Sequence, residues 1–317
     1  MDRLLPPRLK RGDVIQVVTP ASPVDLDRLK RGVRFLNELG FRVRLGRVVR
    51  RLFGGSMISA PDDERRMELE EAFADRSVKC VIASRGGYGT LRLLASLDYA
   101  LIRENPKITV GYSDLTALIN TINTMTGLVT FHGPMVAVDF GSDKPSAYTL
   151  EWFQKATMGE KPIGVVEQPN GYLRCVVEGS GKGLIVGGNL SLLTSLLGTP
   201  YEPNFEGKIV LIEEVDEDPY KVDGMLTHLI LNGSIKKASG IVFSKCVNCP
   251  PPERAGKTIN AVSVEEVVCE RLKQIGVPSV YGFNAGHLPD IPTLPIGVEG
   301  ELNASEGLFS VTEVCTS

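Results

Sequence analysis

No stretch of this 317-residue chain strings together the roughly 18 or more apolar residues that a membrane span requires. Its first residues, Met1-Asp2-Arg3-Leu4-Leu5-Pro6-Pro7, lack the apolar core of a signal peptide, so a cytoplasmic protein is expected. Neither sign of charge dominates: 35 Lys and Arg face 38 Asp and Glu, for a net charge of −3. The single basic cluster, five Arg between Arg42 and Arg51, has no aromatic residues between them. A nucleic-acid partner is therefore not expected, because such surfaces pair cations with stacking rings. Repeats and low-complexity segments are absent, which excludes solenoids and extended disorder. Histidine is scarce, with three in all, so each candidate base can be weighed singly. Cys80, Cys175, Cys246, Cys249, Cys269 and Cys315 read as reduced thiols in a chain of this length without a leader. Cys246 and Cys249 have C-x₂-C spacing, but no second ligand pair follows; the nearest candidates are Cys269 and His228. No metal and no cofactor are expected.

What the chain does have is alternation. Short β-branched runs (14–18, 41–45, 78–83, 108–111, 129–132) alternate with amphipathic stretches (25–39, 62–74, 90–97, 114–124). Repeated β-α-β units predict a parallel sheet covered by helices on both faces, a Rossmann- or flavodoxin-like α/β domain. The pattern weakens between 150 and 180, where Gly, Pro and Glu accumulate around the short segments 164–166 and 173–177. The expected division is residues 1–160 and 161–317. The second part carries strands at 209–213 and 240–244, helices at 190–197, 222–231 and 264–275, and strands between 296 and 311. It reads as a smaller α+β, β-rich domain.

Four segments could do chemistry. In Ile108-Thr109-Val110-Gly111-Tyr112-Ser113-Asp114, a strand turns sharply into a helix and leaves Ser113 on the turn. There a hydroxyl sits at the carboxyl end of a parallel sheet and beside the first N–H groups of a helix. This resembles a nucleophile elbow, although the pattern is G-x-S-D; simple capping by Ser113 or Asp114 is the other reading. Ser84-Arg85-Gly86-Gly87-Tyr88-Gly89 also lies between strand and helix. Its glycines suit a turn, an anion cradle or an oxyanion-hole donor, and match neither the dinucleotide nor the Walker pattern. Glu213-Glu214-Val215-Asp216-Glu217-Asp218 closes an apolar strand; a solvated loop or a divalent-cation site would explain the run, but Glu213, nearest the buried strand, needs a partner. Finally, His132 ends a first-domain strand, His228 lies within a helix, and His287 follows Gly286 in a loop. A nucleophilic serine needs a base held by a carboxylate, and Ser, acid, His is one of the known chain orders.

Together these segments resemble the LD-carboxypeptidases, serine peptidases that trim murein tetrapeptides, and their relatives that confer immunity to microcin C. The resemblance rests on Ser84 to Gly89, Gly111 to Thr116, Phe131-His132-Gly133-Pro134, Gly187-Gly188-Asn189-Leu190-Ser191, Ile212-Glu213-Glu214 and Gly286-His287-Leu288-Pro289-Asp290, and it spans nearly the whole chain. It implies a nucleophile at Ser113, a base at His287 and Glu213 as the acid that orients it. It also implies an oxyanion hole from the backbone N–H groups of Asp114 and of Gly86 or Gly87. Arg85 is a candidate to hold the substrate's free carboxylate, and His132 a candidate substrate contact. The implied partner is a small murein peptide, and the implied assembly a homodimer. Phe243-Ser244-Lys245-Cys246 departs from the family, whose members often carry Gly and an acid there. At Glu214 the family often has Asp. The alternatives are cleavage of an amide in aminoacyl-nucleotide analogues, for which relatives use an aromatic stacking residue, and a non-enzymatic protein that binds an anion in the glycine loops. Trp152 is the single tryptophan.

Overall fold

The computed structural model describes residues 2–49, 56–169, 171, 173–251, 253–254, 257–258 and 262–317. Arg50 and Arg51 of the basic cluster, and Pro252, lie outside the described residues. The chain divides into two compact units. The first holds residues 1–162, 289–297 and 314–317, and the second holds 163–288 and 298–313. No helix of the described residues is long and apolar enough to cross a membrane.

The sheet of the first unit runs, from one edge, Leu294–Ile296, Thr130–His132, Ile108–Val110, Val78–Ala83, Val14–Val18, Arg42–Leu45. Its last five strands are parallel, and Leu294–Ile296 joins antiparallel at the edge. The central strands are apolar and almost wholly buried, as a sheet covered on both faces demands. Strand order reverses between Val14–Val18 and Val78–Ala83, and open sheets of this kind bind ligands beyond the carboxyl ends at such a point. Thr19, Ser84 and Gly111 to Ser113 follow those ends.

Helix Leu26–Glu38 starts where the Asp25 carboxylate accepts the N–H groups of Asp27 and Arg28, each at 2.9 Å. Gly32 faces the segment Val136–Phe140 so closely that a Cβ would lie 2.0 Å from Val136 O. Helix Leu115–Thr126 is buried along most of its length and stops at Gly127, whose φ of 75° a side chain would resist.

The helix expected over 90–97 is a 3₁₀ turn, Thr90–Leu93, followed by a separate helix, Tyr99–Glu104. Asp98 causes the break: its side chain accepts Leu101 N–H at 2.9 Å and starts a new helix. Residues 289–297 and 314–317, placed with the second domain by sequence, belong to the first unit. Pairing of Leu294 with His132 and a bond from Ile291 N–H to Thr149 Oγ1 at 3.0 Å fix the first segment there, and Ser317 N–H donates to Pro6 O at 3.0 Å to fix the second.

In the second unit an eight-stranded sheet runs Gly164–Val165, Leu308–Val311, Glu299–Asn303, Ser180–Asn189, Ile209–Glu213, Gly240–Ser244, Ser279–Phe283, Arg174–Val177. The three central pairings are parallel and the flanking ones antiparallel. Helices Pro219–Asn232 and Val264–Ile275 pack their apolar sides on it, around Leu226, Leu229, Phe243 and Leu272. Strand Ser180–Asn189 escapes a sequence reading because it carries four glycines. They are there for close backbone approach. A Cβ on Gly181, Gly183 or Gly187 would lie 1.9–2.0 Å from the carbonyl oxygens of Ser239, Gly207 and Leu211.

Candidate active site

In the first unit, Ser113 has φ of 63°, one of three positive values among non-glycine residues described. An L-residue pays for that conformation, so it persists only where neighbours enforce it. Two glycines do so. A Cβ on Gly111 would come 2.7 Å from Leu115 Cγ, and one on Gly86 would come 2.8 Å from Ser113 Cβ and 2.9 Å from its Oγ. The serine hydroxyl thus lies directly over the backbone of the glycine turn, at the N-terminus of helix Leu115–Thr126.

Asp114, at the N-cap of that helix, makes no capping bond with its side chain. The buried Asp114 carboxylate turns instead to the glycine turn, where it accepts Gly89 N–H at 3.2 Å and Thr90 N–H at 2.8 Å. Thr90 Oγ1 donates to Asp114 O at 2.5 Å. Burial pushes the Asp114 carboxyl above its ordinary range, opposed by the bonds from Thr90 and Gly89. Sequence offered Asp114 a backbone N–H for an oxyanion or a side-chain helix cap; the bonds of its carboxylate to the glycine turn had no local signal. On the other side of the turn, Ser22 Oγ accepts Tyr88 N–H at 3.0 Å and donates to Met57 O at 2.7 Å. Gly87, with φ of 116°, would strike that Oγ at 2.2 Å if it carried a Cβ.

Arg85 is exposed, and its guanidinium bends back to Gly86 O at 3.2 Å and Pro23 O at 3.5 Å. His132 is fully buried, its ring centre 5.9 Å from that of Tyr112.

In the second unit, Glu213 ends strand Ile209–Glu213 and is 1% exposed. Its Oε2 lies 2.8 Å from Nδ1 of His287, whose side chain is 21% exposed. A carboxylate only accepts, so Nδ1 carries the proton and Nε2 of the neutral ring is the basic nitrogen. Gly286 makes this contact possible. It has φ of 73°, and a Cβ there would lie 2.2 Å from Glu213 Oε2. Ser244, within the segment Phe243 to Cys246 that departs from the family pattern, holds the turn before the histidine. Its Oγ donates to Phe283 O at 2.7 Å and accepts Ala285 N–H at 3.2 Å.

The neighbouring Glu214 is just as buried but is fully engaged. Its Oε1 accepts Asn189 Nδ2–H and Val215 N–H, each at 2.9 Å, and its Oε2 accepts Ser191 N–H at 2.8 Å and Ser191 Oγ–H at 2.6 Å. Asn189 also caps helix Leu190–Leu196. The Gly187-Gly188-Asn189-Leu190-Ser191 segment is therefore the seat of Glu214, which pins the strand end that presents Glu213. His228 is exposed on helix Pro219–Asn232. The free Cys246 and Cys249 thiols, just after strand Gly240–Ser244, share a hydrogen bond, which with burial pushes Cys246 up. Of the described arginines in the basic cluster, Arg44 bonds Asp75 and Arg47 bonds Glu71.

Residues 15–133 match the model of the LD-carboxypeptidase N-terminal domain of peptidase S66, and residues 182–302 match that of the C-terminal domain. A probable murein peptide carboxypeptidase of Bacillus subtilis is 40% identical over 301 residues, covering 95% of this chain and 92% of that protein. The microcin C7 self-immunity protein MccF of Escherichia coli is 31% identical over 340 residues, covering 98% and 96%. A solved structure of MccF has a TM-score of 0.89 at 29% identity, over 99% of this chain and all of that one. A muramoyltetrapeptide carboxypeptidase structure from Oxalobacter formigenes has a TM-score of 0.82 at 30% identity, over 96% of this chain and all of that one.

Proposed function

The chain belongs to the LD-carboxypeptidase family, and on that premise we propose that it is a serine carboxypeptidase that releases the terminal D-alanine from murein tetrapeptides by Ser113, His287 and Glu213. The observation that carries this reading is the 2.8 Å bond between His287 and the buried Glu213, for which Gly286 alone leaves room. It orients the imidazole so that Nδ1 donates to the carboxylate and Nε2 is the nitrogen that takes a proton.

Ser113 Oγ attacks the carbonyl that joins the L-centre of the third residue to D-alanine, and His287 Nε2 takes the hydroxyl proton. Backbone N–H groups of Asp114 and of Gly86 or Gly87 receive the oxyanion. When the intermediate collapses, the C–N bond breaks and His287 returns the proton to the leaving amine. Water, deprotonated by the same imidazole, then adds to the acyl-enzyme, and Ser113 leaves with that proton. The Glu213 carboxylate stabilises the imidazolium. No step calls for a metal or cofactor. Arg85 is the candidate for the substrate's free carboxylate, which would replace its long bonds to Gly86 O and Pro23 O. The reading takes the enzyme as a cytoplasmic homodimer that acts on recycled wall peptides; sedimentation mass in solution tests the assembly.

The alternative nucleotide-amide substrate finds less support. Trp152, the single tryptophan, is 2% exposed in helix Ala147–Met158 and packs against Tyr148 and Lys155, so it is not offered for stacking.

The test is incubation with L-Ala-γ-D-Glu-meso-diaminopimelate-D-Ala and detection of D-alanine by mass spectrometry. Wild type is expected to release it, Ser113→Ala to be slower by about 10⁴-fold or more, and Arg85→Ala to show a raised KM with kcat kept. Equal release by wild type and Ser113→Ala would remove the serine from the mechanism. Release by neither, with cleavage of an aminoacyl-sulfamoyl nucleotide by wild type, would transfer the assignment to that substrate.

A further inference from the structure

Helix Asp62–Ala74 opens Asp62-Asp63-Glu64-Arg65-Arg66, which reads as a solvated charged face. Yet Arg65 is 0% exposed. Its guanidinium is committed to three backbone segments at once. Nε donates to Ala60 O at 3.0 Å, and Nη1 donates to Pro20 O and to Gly89 O, the latter at 3.0 Å. Nη2 reaches the Asp62 carboxylate at 2.5 Å. Burying a charge is costly unless its donors are met, and here the rigid fork meets them with carbonyls from the first strand's exit, the approach to the helix and the glycine turn.

The peptide that joins Gly89 to Thr90 is gripped at both ends. Arg65 holds its carbonyl, and Asp114 Oδ2 holds its N–H at 2.8 Å. Gly89 has φ of 126°, and a Cβ there would lie 2.9 Å from Arg65 Nη1. From the other contact, Pro20, the chain runs two residues to Ser22, whose Oγ accepts Tyr88 N–H. Asp114 in turn is bonded in sequence to Ser113, which lies against Gly86. Arg65 is therefore linked by hydrogen bonds to both sides of the turn over which the nucleophile sits, without touching it.

We propose that Arg65 is a positioning residue for the oxyanion hole: it fixes the Gly89–Thr90 peptide and, through Asp114 and Ser22, sets the Gly86 and Gly87 backbone against Ser113. This rests on the reading that the glycine turn supplies oxyanion donors. Such donors act on the transition state and not on the bound peptide, so loosening them lowers kcat and leaves KM in place.

The experiment uses the full chain with Arg65→Ala and Arg65→Lys, each checked for folding by thermal melts. Arg65→Ala is expected to lose about 10²-fold in kcat with KM within about twofold. Millimolar guanidinium ion restores part of that loss, since it fits the space vacated and can bond the same carbonyls. Arg65→Lys, a point donor without the fork, falls between, and guanidinium does not rescue it. The proposal is overturned if a folded variant keeps kcat within about twofold of wild type, or if the loss only follows the unfolded fraction. Should Arg65→Ala not fold, the kcat and KM of Arg65→Lys decide by the same split. Should wild type release no D-alanine, the functional reading fails on its own, and amide exchange decides for Arg65. Faster exchange in Arg65→Lys confined to Gly86–Thr90, by about tenfold or more, keeps the positioning role; exchange raised equally in Ile108–Val110 removes it.

Discussion

The two units prepare for chemistry in opposite ways. In the first, the candidate nucleophile depends on backbone: Ser113 is held at φ 63° between glycines, and buried Arg65, Asp114 and Glu68 bond main-chain groups around it. In the second, it depends on side chains. Glu213 and His287 meet at 2.8 Å, and Glu214 and Ser244 hold the segments that present them. A nucleophile at the mouth of an oxyanion hole needs N–H groups aimed at one point, and only backbone conformation supplies that. A general base needs one ring turned one way, and a carboxylate behind it suffices.

If that division is right, the largest effect after loss of Ser113 falls on the side-chain pair. Glu213→Gln is expected to cut kcat by about 10³- to 10⁴-fold with little change in KM, because the amide no longer stabilises the imidazolium or enforces its tautomer. Steady-state kinetics on the tetrapeptide check this, and a loss below about tenfold would deprive Glu213 of its role.

The neighbouring Glu214→Gln sharpens the comparison. It places an amide NH₂ against the donors of Ser191 or Asn189, so it is expected to cost about 2 kcal/mol of stability while kcat stays within a few-fold. Denaturant melts and kinetics measured together separate the two carboxylates; equal losses of kcat would merge them.

The effect that depends on pH lies in the first unit. Burial raises the Glu68 carboxyl to about 7, against the N–H bonds of Thr19, Val48 and Val49 and the nearby Arg47. A folded-state pKa above the unfolded one means the native state keeps a proton that the unfolded chain releases. This stabilisation is full below about 4.5, declines as pH rises and is gone above about 7, at most about 3 kcal/mol in all. Unfolding midpoints at pH 5 and pH 8 should differ less in Glu68→Gln than in wild type. An unchanged difference would mean that another group titrates.

Much of this was legible before the structure. Apolar runs announced the strands Val14–Val18, Val78–Ala83, Ile209–Glu213 and Gly240–Ser244 at their observed bounds, and amphipathic spacing announced Val264–Ile275. Helix Asp62–Ala74 was also located, but nothing in the sequence singled out Arg65 and Glu68 as the charges it buries. Strand Ser180–Asn189 was hidden because its glycines serve contacts with residues 20 or more positions away. The choice of Glu213 over Glu214 came from family pattern; in the structure the Glu213 carboxylate faces the imidazole of His287, while that of Glu214 is bonded by Asn189, Ser191 and Val215.

The sequence by itself determined most of the elements and the family, and it named the candidate reactive side chains, because hydrophobic period, turn glycines and residue chemistry are local properties of the chain. Only the tertiary structure decided which charges are buried and what they hold, that Asp114 and Arg65 grip one peptide, and that residues 289–297 return to the first sheet. Those outcomes depend on which distant backbone groups lack a partner once the chain has packed, and no window along the sequence contains that information.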